Sequence, residues 1–490
     1  MAGLGKRRPS RARSGVSGLQ GRRTTRAHDA ATTRSVEDGL IIERLAHDGR
    51  GLAHSADGKS QFVDGALPGE RVETATHLTR QRYDEAHVRR VIEASPDRVA
   101  PPCVHYALCG GCDLQHLAIE AQRAHKLAVL PEMLARQGVE LTQAPTLIAT
   151  DDPHYRRRAR LGVKVDAEGR VHLGFRARRS QRLVDIGDCT ILVPTLNALL
   201  GPLHGHVATL DAPRQLGHLE MLESDQGVVL VLRQLKEHAA DTRRWQAFAE
   251  THGLHLVRWL GRDTPALDWL TPRLELTYRL PGPGPGPGPG QGTETRDELT
   301  LGFAPGDFLQ ANAAVNRRMI ETAMAWLGDI EGRSWLDLFA GVGNFSLALA
   351  AGGASVTAVE GNPAMVERLA DNACVNGLEV SARQADLTTA GTIEALLSEH
   401  APQAVLLDPP RAGAERVCQA LVEHPVARIL YVACDPATLS RDAARLVHGG
   451  YRIVRAAVAD MFVHTSHLES MLLLEHPRRQ WQPQGARPDG

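Results

Sequence analysis

A cysteine thiol is the strongest ready nucleophile a protein carries, and Cys434 stands where such a group can act. It follows RILYVA (428–433), an apolar run with the length and the β-branched or aromatic content of a buried strand. Asp435 and Pro436 come next, and a helix is expected from near Thr438. A strand that gives way to a loop and a helix puts the thiol at the mouth of an α/β sheet, and such sheets bind ligands outside the carboxyl ends of their strands. An isolated cysteine is more often a small buried hydrophobe, so its neighbours decide its meaning.

A second group of residues suits a nucleoside. In DLFAGVGNF, Gly341 and Gly343 follow a strand and let a ligand approach the backbone at a helix N-terminus. Glu360 ends the next strand, where a carboxylate can accept both ribose hydroxyls. NAD shares that ribose logic, but the pyrophosphate fingerprint is incomplete, because Asn344, Phe345 and Ser346 follow the second glycine. S-adenosylmethionine has no pyrophosphate and needs no third glycine. Asp386 after a third strand and Asp408 in DPPR after a fourth add acids at the same edge. A third group is Cys103, Cys109 and Cys112, spaced C-x5-C-x2-C, close enough to share one metal centre, with Gly110 and Gly111 allowing a tight turn. Cys189 is the one candidate for a fourth ligand ahead of the C-terminal domain. Four thiolates suit zinc or an iron–sulfur cluster, and the spacing does not separate the two.

The elements that must position these groups divide the 490 residues into several parts. Residues 1–34 read as a disordered basic arm, with Lys6, Arg7, Arg8, Arg11, Arg13, Arg22, Arg23, Arg26 and Arg34 against Asp29 alone. Residues 35–93 show short runs between Gly, Asp and Pro turns, the rhythm of a small β-barrel. Residues 94–306 form an α+β central domain with the cysteine site. They carry basic runs around Arg156, Arg157, Arg158 and Arg160 and around Arg176, Arg178, Arg179 and Arg182, which can face RNA phosphates or solvent. A repeat at 281–290, PGPGPGPGPG, has no core-forming residue and reads as a surface loop. From 307 to 478 strands and helices alternate, which means a mostly parallel, Rossmann-like sheet. Residues 479–490 read as a flexible tail. The composition, 43% apolar and 23% charged with a net charge of −1, is that of an ordinary soluble protein. No apolar run approaches the ~18 residues of a membrane span, and no signal peptide is expected. Seven cysteines, an odd number, fit a reducing compartment better than a disulfide framework.

The segments FLQANAAVN (308–316), LDLFAGVGNFS, AVEGN, LLDPPRAG, YVACDPATLSRD and HLESM (467–471) run in order through the C-terminal domain, and there the chain resembles the RNA uracil-C5 methyltransferases. VDGALPGERV resembles the centre of a TRAM domain, an OB-like RNA-binding barrel. With that barrel and the four cysteines, the likeness is to the branch that acts on 23S ribosomal RNA, over nearly all of residues 35–475. The resemblance implies S-adenosylmethionine-dependent methylation of C5 of a uridine, giving 5-methyluridine, with Cys434 adding to C6 and Glu469 removing the C5 proton. It places Gln310, Phe339, Asn344, Glu360, Asp386 and Asp408 around the methyl donor, and Arg411 in the loop or at the target nucleotide. It implies a 4Fe-4S cluster on Cys103, Cys109, Cys112 and Cys189, zinc being the alternative, in a monomeric cytoplasmic enzyme whose partner is 23S ribosomal RNA and not a membrane. Two positions depart from the family: Asp435 where Asn is usual, and Ala340 where Cys is frequent. An ionised Asp435 beside the thiol would disfavour its thiolate unless its carboxylate points away or is paired. Two other readings are the transfer-RNA branch, which lacks the barrel and the cysteine cluster, and a non-catalytic iron–sulfur RNA-binding protein, against which Cys434, Glu469 and the donor loops argue.

Overall fold

Eight strands form the sheet on which the chemistry is mounted: β1 (Thr146–Ile148), β2 (Ser334–Leu338), β3 (Ser355–Glu360), β4 (Val380–Gln384), β5 (Ala404–Leu407), β6 (Arg428–Ala433), β7 (Arg452–Ala459) and β8 (Glu469–Glu475). Their spatial order is β4-β3-β2-β5-β6-β8-β7-β1. The strands from β4 to β6 are parallel, and β8 is inserted antiparallel to both β6 and β7. Parallel strands are covered on both faces and therefore read as continuous apolar runs; all four residues of β5 are buried, as are the last five of β6. The chain proceeds outward from β2 to β4 and then returns to β5 on the other side of β2, so the order reverses between β2 and β5, where α/β sheets open a ligand crevice. The helices used below are α1 (Ile119–Arg136), α2 (Ala313–Leu327), α3 (Pro363–Val375) and α4 (Pro436–His448).

The computed structural model describes residues 39–55, 57–263, 265–282, 298–479 and 481. The expected basic arm, residues 283–290 of the PG repeat and residues 482–490 lie outside these. The described residues from Leu40 onward fall in one unit. Trp481, expected in the flexible tail, stacks on the guanidinium groups of Arg333 and Arg428, 4.5 and 4.4 Å from the ring centre.

Residues 40–93 form a closed barrel. Leu40–Ile41 pairs with Arg71–Thr79 and Arg44–Leu45 pairs with Gly51–His54, so two halves of one short bent segment join the ends of the sheet. Ser60–Asp64 runs parallel to Tyr83–Glu93, and the other pairs are antiparallel. The middle of the chain forms a seven-stranded sheet centred on Arg158–Val165, Leu216–Ser224 and Gly227–Gln234. Its helix Ala239–His252 buries Trp245 and Phe248. The hairpin Leu276–Pro281 with Glu298–Phe303 belongs to the core of the eight-stranded sheet, since Leu276, Tyr278, Leu299 and Leu301 pack with Trp335 and Leu406.

Helix α1 and strand β1 come from the segment expected to build the central domain, yet they close the far side of the catalytic sheet. β1 pairs with β7, Thr146 opposite Ala457, and α1 packs against α4. A three-residue strand has no periodicity to betray it. On α1, Lys126 is fully buried and donates to Asp460 Oδ1 at 2.6 Å and to the carbonyl of Phe462 at 3.0 Å. Asp460 is 1% exposed. Removing Lys126 leaves Asp460 in a low dielectric with Arg123 Nε, 3.8 Å away, as its remaining cation. Lys126→Met is therefore expected to lower unfolding stability by about 3–5 kcal/mol in denaturant titrations, with Asp460→Leu in the same chain recovering a large part.

Candidate active site and cysteine cluster

The antiparallel pair β6 and β8 sets Ala433 opposite Ser470. One step further, Cys434 leaves the end of β6 where Glu469 begins β8, so thiol and carboxyl meet at the carboxyl edge of the sheet. Glu469 is 6% exposed. Burial pushes the Cys434 thiol up to about 11, with the charges of Glu469 and Asp408 adding to the shift and the Arg411 guanidinium opposing it. Burial raises Glu469 to about 8, again with Asp408 adding and Arg411 opposing. Asp408, at the end of β5, is raised by burial to about 7. Both shifts favour the uncharged forms of Cys434 and Glu469 in the free site. A carboxyl tuned close to working pH is suited to moving a proton.

The DPPR loop is fixed from α4. Asp442, fully buried, accepts from the backbone N–H of Ala414 at 2.7 Å, the Tyr431 hydroxyl at 2.7 Å and Arg441 Nε at 2.9 Å. Arg441 also donates to the carbonyl of Ala412 at 3.1 Å. Gly413 has φ +79°, and a Cβ there would stand 2.6 Å from Asp442 Oδ2. Asp442 lies in the SRD motif, but sequence reasoning gave it no role. Asp435 does not face Cys434 as a bare charge. It caps α4, its Oδ1 accepting from the backbone of Ala437 at 3.0 Å and of Thr438 at 2.8 Å. The helix starts at Pro436, two residues before the position expected from sequence, because Asp at the cap and Pro in the first turn are its start signal.

The ends of β2 and β3 carry the nucleoside group. Phe339 has φ +66°, a left-handed conformation uncommon for a bulky residue, and it leads into the glycine turn. Glu360 is held at the turn by two backbone donors, Gly341 N–H at 3.1 Å and Asn362 N–H at 2.9 Å; each carboxylate oxygen keeps a lone pair for a hydroxyl. Asn344 exchanges two amide hydrogen bonds with Asn316 of α2, at 2.8 and 3.0 Å. Asn372 of α3 donates to the carbonyl of Val342 at 2.9 Å and so pins the turn. Asp337, 1% exposed and raised to about 7 chiefly by burial, accepts from Ser346 Oγ at 2.5 Å through Oδ2, while its Oδ1 has no partner. Asp386 is exposed beyond β4 beside Glu360, whose carbonyl accepts from the Ala385 N–H at 3.1 Å; hydrogen bonds from Thr388 hold its carboxyl below the usual range. Gln310 is 7% exposed, two residues before the α2 cap Asn312. Its carbonyl accepts from Arg157 Nε at 2.9 Å. Arg157 is itself buried and lies over the Tyr278 ring at 4.2 Å, so this member of the basic run holds the Gln310 segment and does not face solvent. Asn316 and Asn372 were missed by sequence reasoning; Asn316 is the last residue of FLQANAAVN, and nothing in its spacing signals the amide pair. The unpartnered Asp337 oxygen, the open lone pairs on Glu360 and the tight turn fit the adenosyl end of S-adenosylmethionine.

The four cysteines converge on one place. Each of Cys103, Cys109 and Cys189 adds to the raised pKa of Cys112, which burial drives up to about 12. The loop holding Cys109 and Cys112 lies on the central sheet, with Gly110 N–H donating to the carbonyl of Arg176 at 2.9 Å. Arg178 holds it from below, donating to the carbonyls of Cys109 at 3.2 Å and Cys112 at 2.7 Å and stacking on Tyr106. Gly111 N–H donates to Cys109 Sγ at 3.4 Å, the backbone-to-sulfur contact that the paired glycines allow. Elsewhere, among the described residues, Asp211, His238 and Asp241 form a trio of potential ligands whose donor atoms all lie within 4.8 Å of one another. The two acids of that trio already share Arg244 as their cation. A cleft of about 730 Å³ separates the barrel from the cysteine loop, and its Arg50 and Arg179 are paired with Asp48 and Asp64.

The strand order, the glycine turn and the acids at the strand ends define an S-adenosylmethionine-dependent methyltransferase domain. Comparisons agree. Residues 296–477 match the tRNA (Uracil-5-)-methyltransferase family. A curated relative from Halomonas elongata, 23S rRNA (uracil(1939)-C(5))-methyltransferase RlmD, is 58% identical over 100% of both chains. A protein of the same name from Pseudomonas putida is 43% identical over 89% of this chain and 93% of its own length. The chain belongs to the RlmD family. Among solved structures, the Pyrococcus abyssi tRNA (uracil-54, C5)-methyltransferase in complex with S-adenosyl-L-homocysteine superposes with a TM-score of 0.66 over 89% of this chain and 99% of that one, at 22% identity, a likeness of fold. No helix among the described residues is long and apolar enough to cross a membrane.

The cap geometry gives Asp435 a test. Asparagine keeps the cap acceptor, so Asp435→Asn is expected to leave unfolding stability within about 0.5 kcal/mol, while Asp435→Ala costs about 1 kcal/mol. Because the carboxylate is already committed to α4, Asp435→Asn is expected to change kcat without abolishing it, measured as methyl transfer per enzyme.

Proposed function

We infer that the chain methylates C5 of a uridine in 23S ribosomal RNA, the position numbered 1939 in the names of its relatives, at the expense of S-adenosylmethionine. The observation that carries the chemistry is the register of β6 and β8, which brings Cys434 and Glu469 together at the sheet mouth. C5 of uracil is a poor nucleophile on its own. The Cys434 thiolate adds to C6, and the C5–C6 π pair moves toward the C4 carbonyl, which makes C5 enolate-like. S-adenosylmethionine is the co-substrate that supplies an electrophilic methyl to C5. The Glu469 carboxylate then takes the C5 proton; the pair from that C–H bond re-forms C5=C6, and the C6–S pair returns to sulfur. Gln310, Phe339, Asn344, Glu360, Asp386 and Asp408 surround the methyl donor in this reading.

The target base must leave its stack to reach Cys434, and the front of the chain supplies affinity. The strand order of residues 40–93, with its one parallel pair, is that of an OB-type barrel, which supports the TRAM reading. Arg160, Arg176 and Arg182 are exposed and suit RNA phosphates. Cys103, Cys109, Cys112 and Cys189 would hold a 4Fe-4S cluster, with zinc the alternative for four thiolates. An odd number of cysteines, with no disulfide among the described residues, suits the reducing cytoplasm.

Labelled methyl transfer to unmodified 23S ribosomal RNA and transfer RNA transcripts tests the reading. Label is expected as 5-methyluridine in the ribosomal transcript and is abolished by Cys434→Ala; label in transfer RNA alone would overturn the substrate. The pKa shifts set a second test. Cys434 must ionise before addition and Glu469 before proton removal, so kcat is expected to rise with pH through the neutral range. Arg411 opposes both upward shifts. Arg411→Gln should therefore move this rise to higher pH, and a profile displaced to lower pH would contradict it.

A further inference from the structure

The segment that presents Glu469, residues 460–467, is held mainly by the front half of the chain. Lys126 of α1 holds its start through Asp460 and Phe462. The Tyr155 hydroxyl donates to the carbonyl of Val463 at 3.2 Å. The backbone N–H groups of Asp113 and Leu114 both donate to the carbonyl of His464, at 3.1 and 2.9 Å. Ser466 donates twice to one carboxylate, its N–H to Asp113 Oδ1 at 2.7 Å and its hydroxyl to Asp113 Oδ2 at 2.8 Å. The barrel reaches the same point, since a Cβ on Gly49 would stand 3.2 Å from Ser466 Cβ. His464 has φ +67°, a conformation that persists in a non-glycine residue where the surroundings over-determine it.

Asp113 is the residue directly after Cys112, in a loop whose carbonyls at Cys109 and Cys112 are themselves fixed by Arg178. We propose that Asp113 is a positioning residue for proton removal: it clamps Ser466, three residues ahead of Glu469, to the four-cysteine loop. The rigidity that a metal centre gives that loop is thereby passed to the base. The proposal rests on the reading of Glu469 as the base and assigns the cysteine site a task in the last step of the reaction, beyond RNA affinity.

The order of steps makes this testable. Addition of Cys434 and methyl transfer precede proton removal, so a displaced base leaves the methylated nucleotide attached to sulfur. In anaerobically purified full-length protein, Asp113→Ala is expected to lower kcat about 10- to 100-fold while kcat/KM for the RNA changes by less than about threefold, so that KM falls together with kcat. A denaturation-resistant protein–RNA adduct carrying the transferred methyl should accumulate, and the amides of residues 461–468 should exchange hydrogen faster at unchanged iron content. Asp113→Asn keeps one carbonyl acceptor for the Ser466 N–H and should recover most of the rate. Unchanged kcat, a rise in KM alone, a fall in kcat with no adduct, or loss of iron in Asp113→Ala would each overturn the proposal. If Asp113→Ala does not fold, Ser466→Ala removes the hydroxyl bond alone and is judged by the same readouts. Glu469→Gln is run beside it. If that variant fails to trap an adduct, the base assignment falls; if it traps and Asp113→Ala does not, the clamp alone falls.

Discussion

Insertion of β8 between β6 and β7, antiparallel to both, is the constraint on which the catalytic mouth depends. In a purely parallel sheet the mouth receives strand ends alone. An antiparallel strand brings its beginning there, so Glu469 can stand beside the thiol that leaves β6. Side chains alternate faces along a strand, and a one-residue slip in this pairing would turn every side chain of β8 to the other face. Met471 and Leu473 pack in one core, and Leu472 and Leu474 in the other. Both faces of β8 therefore hold its register, and the placement of Glu469 follows from the packing of four apolar neighbours.

The price of that placement is burial of acids. Asp337 and Asp408 are raised to about 7 and Glu469 to about 8, each chiefly by burial. A carboxyl whose pKa is higher folded than unfolded binds more protons in the native state, so its effect on stability becomes less favourable as pH rises from the unfolded range of about 4 toward the folded value. The free protein thus carries a strained acidic mouth at neutral pH. Arg411 offsets part of it.

Much of this site was legible in the sequence because its signals are local. Cys434 after RILYVA, the G-V-G turn, and acids ending successive strands need no knowledge of distant contacts, and the strands and helices fall on these runs. What escaped was long-range or too short to show a period. Ser466 meets Asp113 across 353 residues, and Arg157 meets Gln310 across 153. An arginine in a basic run reads as a phosphate ligand until tertiary packing puts it over Tyr278. Strand β1, with three residues, carries no pattern. The Asp435 cap was legible, since Asp-Pro opens helices, but the side chain was weighed against the thiol and not against the helix.

The two reacting side chains are mounted on different supports. Cys434 is positioned from within the catalytic domain: β6 carries it, α4 begins just after it, and Asp442 ties both to the DPPR loop through Tyr431 and Ala414. The approach to Glu469 is tied instead to α1, the cysteine loop and the barrel. In the proposed mechanism the thiol acts first and the base last. A division of supports along that order would let the front modules, proposed to meet the RNA, bear on the step that releases it, while Cys434 keeps its geometry from the sheet. The free energy for such coupling need not come from motion. A few hydrogen bonds to the buried Asp460 and the half-buried Asp113, each worth about 1.5–3 kcal/mol when charge-assisted, are enough to fix or free a segment of eight residues.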